Sequence, residues 1–184
     1  MRKYEFTDEK IFFTDIRDFS SHAVHRIRAV RDFGTVKAGD LGGWLEKEEN
    51  LSHDGEAWVG GEAQVTGAAL VTGDALVTGN AQVDGKAIVS GYAWVGGEAH
   101  ITGTALLTKE ADYVVLKGFG SVMATATFFR CEDGCIRAKC EDFYGDFYGD
   151  MREFRAWAKK SKTAKEYMLI ADLIEMHFGA CEHE

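Results

Sequence analysis

Along residues 55 to 108 the apolar positions recur neither every second residue nor every 3.6, but every six. Glycine stands at 55, 61, 67, 73, 79, 85, 91, 97 and 103, with alanine two residues after each. Two further on comes an aliphatic residue: Val59, Val65, Val71, Val77, Val83, Val89, Val95, Ile101 and Leu107. A six-residue apolar period drifts around a helix, and a glycine in each period costs about 1 kcal/mol there, so α-helix is excluded. The pattern predicts a coil of three short flat faces, with glycine at each corner, alanine packed beside it and the aliphatic residue filling the centre. Three hexads make one turn, so residues 55 to 108 hold about three turns.

Stacking the hexads at a spacing of 18 sorts the residue after each alanine into columns. One face carries Trp58, Leu76 and Trp94, beside Gly60, Thr78 and Gly96, so each tryptophan has room to lie over a glycine. A second carries Gln64, Gln82 and His100. The third carries Leu70, Ile88 and Leu106 beside the hydroxyls of Thr72, Ser90 and Thr108. Two of the three faces are apolar, and three turns at strand spacing stand only about 10 to 15 Å tall. Exposed apolar ladders mark interfaces. The expectation is that one ladder packs on the chain's own flanks and the other on a sister subunit; the alternative is that the terminal segments cover both within a monomer.

The flanks change period. Residues 1–54 read as an N-terminal β cap: short strands in KYEF, KIFF and HAVHRIRAV, then a turn-rich stretch, together closing the lower edge of the coil, whose unpaired backbone groups need a cover. Residues 109–184 read as a C-terminal module. YVVLKGFGS is a strand, a two-residue hairpin turn falls at Asp133 and Gly134, and two helices follow. Asp150 caps DMREFRAWAKK, which puts Met151, Phe154, Trp157 and Ala158 on one face. Thr163 with Glu166 forms a capping-box pattern opening KEYMLIADLIEMHF, whose stripe is Tyr167, Ile170, Ala171, Ile174 and Phe178. The expected fold is mainly β: a parallel β-helix with an N-terminal β cap and a C-terminal α+β module.

The chain has 184 residues, no proline and a formal net charge of −9 spread over all three regions. That balance opposes direct nucleic-acid binding, which needs clustered Lys and Arg, and points to a basic partner. Arg26, Arg28 and Arg31 read as a solvated strand face. No apolar run approaches the roughly 20 residues that span a bilayer, and the charged start lacks a signal peptide's apolar core. The expected place is the cytoplasm, with no membrane partner. The four cysteines, Cys131, Cys135, Cys140 and Cys181, are expected to be reduced thiols.

The hexads resemble the repeat of left-handed parallel β-helices, a family that includes many acyltransferases. The left hand is implied by that resemblance, since parallel crossovers are otherwise right-handed; trimers are likewise common there. HRIRAVRDFGTVKAGDLGGWLEKEENLSHDGEAWV, the hexads, and the GFGS, FFR, DG, AKEY and HF elements of the tail together resemble the YdcK-like hexapeptide-repeat proteins of phages and prophages. Such proteins are often labelled transferases on fold alone, which leaves activity open. Where those tails carry a compact Cys-Gly-Cys-Phe segment, this chain has KCEDFYGDFYGDMREF.

An acyltransferase needs a histidine base at a subunit cleft and a loop that shapes the acceptor pocket. His100 alone lies in the hexads and His53 just before them; they are weak candidates, since the repeat holds no inserted loop and three turns are short for a pantetheine arm. No catalytic residue is therefore assigned. Cys131, Cys135, Cys140, His177, Cys181 and His183 form no CxxC pair, and the expected turn sets Cys131 opposite Ile136, so no metal is expected. The tandem DFYGDFYGD offers Asp142, Tyr144, Asp146 and Tyr148 as partner-binding candidates.

The function expected is a non-catalytic binding scaffold without a cofactor, assembled with itself as a homotrimer. It would bind a host protein or small ligand and, in a phage, act in the host cytoplasm as an inhibitor of a host defence or nucleic-acid enzyme. The alternatives are an acyltransferase with sites at subunit clefts and a purely structural oligomerisation module.

Overall fold

The computed structural model describes residues 2–14, 21–120, 124–141 and 146–179. The chain opens with β1 (Tyr4–Thr14) and β2 (Ser21–Ala29), an antiparallel pair, followed by β3 (Leu41–Leu45). The hexads then form nine two-residue strands: β4 (Trp58–Val59), β5 (Gln64–Val65), β6 (Leu70–Val71), β7 (Leu76–Val77), β8 (Gln82–Val83), β9 (Ile88–Val89), β10 (Trp94–Val95), β11 (His100–Ile101) and β12 (Leu106–Leu107). They pair in parallel at a spacing of 18, so Trp58, Leu76 and Trp94 stack, as do Gln64, Gln82 and His100, and Leu70, Ile88 and Leu106. The columns read from the sequence are the columns of a parallel β-solenoid.

Alanines 57 to 105 and the aliphatic residues 59 to 107 are buried along the axis, each aliphatic side chain gaining about 1.5 to 3 kcal/mol from leaving water. The corner glycines have φ between +59° and +70°, a conformation that carries a side chain only with strain. Stacking adds a second constraint. A Cβ on Gly85 would stand 2.8 Å from the Gly103 nitrogen in the next turn.

The solenoid is longer than the hexads, with about four turns in place of three. β3 pairs in parallel with β5, Trp44 on Gln64 and Leu45 on Val65, and Leu51 bridges Val71. This first turn is spaced by 20 residues and lacks the Gly-x-Ala-x-Val hexad, so periodicity does not reveal it. Its glycines serve close approach instead: a Cβ on Gly43 would stand 2.5 Å from the Ala63 carbonyl oxygen, and one on Gly42 2.6 Å from the Trp58 ring. Through β3 the hairpin joins the same sheet, in the order β1-β2-β3-β5-β8-β11.

Backbone groups alternate along each parallel strand, so both ends of the solenoid present N–H and C=O groups that need partners. Each end is closed accordingly. Below, the N–H groups of Trp44, Glu46 and Ser52 donate to the carbonyls of Ala63, Val65 and Val71, and the buried Asn50 amide donates to those of Gly67 and Ala69. Above, the Asp112 carboxylate accepts from the N–H groups of Thr108 and Lys109, and the Thr127 hydroxyl accepts from His100.

Residues beyond the solenoid form the antiparallel sheet β13 (Tyr113–Phe119), β14 (Ala124–Arg130), β15 (Ile136–Glu141) and β16 (Phe147–Asp150), covered by α1 (Met151–Ala158) and α2 (Ala164–Phe178). The helices bury Phe154, Tyr167, Ala171 and Ile174 against Phe128 and Ala138 in a second core. Asp150 caps α1: its carboxylate accepts from the Glu153 N–H, and the Glu153 carboxylate accepts from the Asp150 N–H. Thr163 makes no such bond. Its hydroxyl pairs with Ser161, and Glu166 accepts from the Gly120 N–H, tying α2 to the sheet.

The hairpin between β14 and β15 turns through three residues, not two, because Gly134 takes φ +78° and extends the turn. Arg130 therefore faces Ile136, and the Cys131 N–H donates to the Cys135 carbonyl. Among the described residues no helix is long and apolar enough to cross a membrane.

Candidate functional site

His100 projects from β11 on the upper turn, where β14 and β15 of the C-terminal sheet come down onto the polar face. Its Nε2 lies 2.8 Å from an Asp84 carboxylate oxygen and its Nδ1 2.7 Å from one of Glu141. The Thr102 hydroxyl donates to the other Asp84 oxygen. The imidazole is only 16% exposed. Burial alone would favour the neutral ring, but the two carboxylates outweigh it and raise the pKa from 6.5 to about 9. Burial also opposes the charge on Asp84, yet the bonds from His100 and Thr102 hold its carboxyl below the usual range; His100 does the same to Glu141. At neutral pH the ring is an imidazolium donating from both nitrogens.

A protonated ring has no lone pair to take a proton, so the position acts as an ionic clamp between solenoid and C-terminal sheet. Part of it was readable in the sequence. Thr102 follows Asp84 by 18 residues, so the two stack, and His100 is their neighbour on the same face. Glu141 lies 41 residues from His100 in another sheet, and no repeat spacing points to it.

His53 sits at the lower end, stacked on Tyr4 with ring centroids 4.4 Å apart. The Lys3 N–H donates to its Nδ1 at 3.3 Å, which puts the ring proton on Nε2, donating to Glu48 at 2.9 Å. Arg2 holds that same Glu48 carboxylate at 2.9 Å. Around them lies an open depression of about 330 Å³ lined by Glu48, Glu49, Leu51, Ser52, His53, Leu70 and Thr72. The two histidines therefore stand at opposite ends of the solenoid, and each has both ring nitrogens engaged.

The apolar ladders fare differently. Trp58 is buried under the edge of Phe33, 5.4 Å between centroids, so the N-terminal segment covers the lower part of its face; Leu76 is half-buried and Trp94 exposed. Leu70, Ile88 and Leu106 are each half-buried. The arginines near the start are tied within the fold: Arg26 lies over the Trp44 ring and pairs with Glu62, and Arg28 pairs with Glu5.

Of the tandem aromatic segment, Asp142 and Tyr144 lie outside the described residues. Asp146 pairs with Lys139 at 2.8 Å, and the Tyr148 hydroxyl rests against Gly103, where no Cβ would fit. Tyr148 thus helps seat the C-terminal sheet on the solenoid, while the Asp146 pair with Lys139 of β15 lies within the C-terminal module. Cys131 and Cys140 are buried thiols, and burial raises the pKa of Cys131. Cys135 is disulfide-bonded, which departs from the expectation of reduced thiols throughout. His177 packs edge-on against Phe178, while Cys181 and His183 lie outside the described residues.

No family model matches the chain. Over 61 residues it is 36% identical to a protein of Escherichia coli (strain K12) described as an uncharacterized acetyltransferase, YdcK. The match takes in 32% of this chain and 19% of that relative, so the chain spans well under two thirds of the relative's length. The match and the β-solenoid together fit a hexapeptide-repeat protein.

Proposed function

We propose that the chain is a non-catalytic binding scaffold, a rigid solenoid whose two ends and flanking elements contact a partner protein. The observation that carries this reading is the occupation of every ring nitrogen on the two candidate bases, His100 and His53. A general base needs a lone pair within reach of the substrate's proton. The unbroken run of hexads supports the same reading, since it supplies no loop to shape an acceptor pocket. The net charge of −9 suits a basic partner surface. In this reading the partner is a protein in the cytoplasm. Were the chain phage-encoded, the partner would be a host defence or nucleic-acid enzyme that the scaffold inhibits. Leu70, Ile88 and Leu106 form the self-association face of a homotrimer.

Acyl transfer is the second reading, favoured by the described activity of the E. coli relative. Nitrogen-15 spectra of the histidine side chains separate the two. The scaffold reading expects His100 doubly protonated up to about pH 9 and His53 with its proton fixed on Nε2; a neutral His100 at pH 7 with an open nitrogen favours transfer. Light scattering on the wild type and on a Leu70→Ser, Ile88→Ser, Leu106→Ser variant tests the trimer, which the variant is expected to break.

A further inference from the structure

The upper edge of the solenoid is closed at two of its three corners. Gly91 lies under the Thr108 carbonyl and Gly103 under the Tyr148 hydroxyl, whereas nothing stands within 4 Å of where a Cβ on Gly97 would be. Beside that open corner runs β10, the end strand of its sheet. The N–H groups of Leu76 and Thr78 donate to the carbonyls of Ala93 and Val95. Strand alternation therefore turns the N–H and C=O of Trp94 the other way, beyond the last turn. Two residues on, the Gly96 N–H donates to the Tyr113 hydroxyl at 3.1 Å, which fixes that phenol beside the edge. Trp94 is 52% exposed and Tyr92 81%. Trp94, Tyr113 and Glu110, with Thr78, Gly96 and Gly97, line an open depression of about 200 Å³.

We propose that this corner is a docking site for a basic side chain, arginine or lysine, carried on an extended segment of a partner protein. The inference rests on the scaffold reading above. Two aromatic side chains beside a carboxylate select a cation, and a space of about 200 Å³ admits one side chain rather than a folded element. The outward backbone groups of Trp94 pair with an extended segment, as sheet edges do with added strands. The acidic charge of the whole chain, −9, draws a basic segment in.

The test uses the isotope-labelled full chain, titrated with acetyl-Thr-Val-Arg-Val-Thr-amide and with the same peptide carrying citrulline, which keeps the shape of arginine and removes its charge. The site predicts shifts of the Trp94 and Gly97 amides and the Trp94 indole N–H, and binding about fivefold weaker for citrulline and for Trp94→Ala or Glu110→Gln. Both variants alter exposed side chains, and their unchanged spectra elsewhere will show that the fold is intact. The proposal is overturned by equal binding of both peptides, by no shifts at millimolar peptide, or by shifts that map to the exposed Leu169, Leu173 and Met176 of α2. A parallel titration with acetyl-coenzyme A keeps the two inferences apart. Peptide failure without coenzyme binding removes only this site, whereas coenzyme binding with acetyl transfer removes the scaffold reading whatever the peptide does.

Discussion

Replacing His100 with glutamine should loosen the C-terminal sheet from the solenoid, and the loss should depend on pH in a direction fixed by three groups. The folded pKa of His100 is about 9 against an ordinary 6.5, a preference for the protonated form worth about 3 kcal/mol. Asp84 and Glu141 are 35% and 45% exposed, and water screening at Glu141 reduces the clamp to about 2 kcal/mol. Because the histidine pKa is raised on folding, its stabilisation is complete below 6.5 and is lost as pH rises through 9. The carboxyls are lowered on folding, so their part is complete above their ordinary pKa values, near 4, and is lost as pH falls further. The clamp is therefore strongest from about pH 5 to 7 and gone by about pH 10. Lys139 and Tyr148 also face the cluster. His100→Gln should lower the melting temperature by about 5 °C at pH 6, and the gap to the wild type should close towards pH 10. A gap that is the same at pH 6 and pH 10, or no gap at all, would refute the clamp.

The corner glycines give a paired prediction. Gly85→Ala meets Gly103 backbone at 2.8 Å as well as a φ of +68° and should cost more than about 3 kcal/mol, while Gly97→Ala meets only its φ of +66° and should cost about 1 kcal/mol; equal urea midpoints for the two variants would show that stacking does not add to conformation. Asn50→Ala strips the amide from the buried carbonyls of Gly67 and Ala69 and the acceptor from the Lys47 N–H. It should destabilise by about 2 to 3 kcal/mol and speed amide exchange first in the lowest turn, near Trp44 and Leu51; uniform exchange along the solenoid would contradict a local cap.

Strict repetition explains what was legible in the sequence. Nine hexads at one spacing fix the three columns residue by residue, because successive strands of each column pair at the same interval of 18. That logic stops where the interval changes. β3 joins the solenoid at a spacing of 20, through Gly42 and Gly43, whose role is close approach rather than a turn, so the lowest turn reads as an irregular loop. It stops again at the C-terminal sheet. Periodicity says His100 faces outward from a polar column but cannot say that β15 brings Glu141 onto it, where Glu141 joins Asp84 in holding the ring protonated at neutral pH. The capping box at Thr163 and Glu166 fails for a related reason: Glu166 has a better use, accepting from Gly120 across the fold, than closing its own helix end.

Calorimetric titration of the full chain with acetyl-coenzyme A, run alongside an acetyl-transfer assay, tests the central claim most directly. The account predicts no saturable heat and no transfer, with His100→Ala and His53→Ala indistinguishable from the wild type in both. Stoichiometric binding accompanied by turnover that either substitution abolishes would contradict it, and would mean that a ring nitrogen shown here as engaged is released to act as a base when substrate arrives.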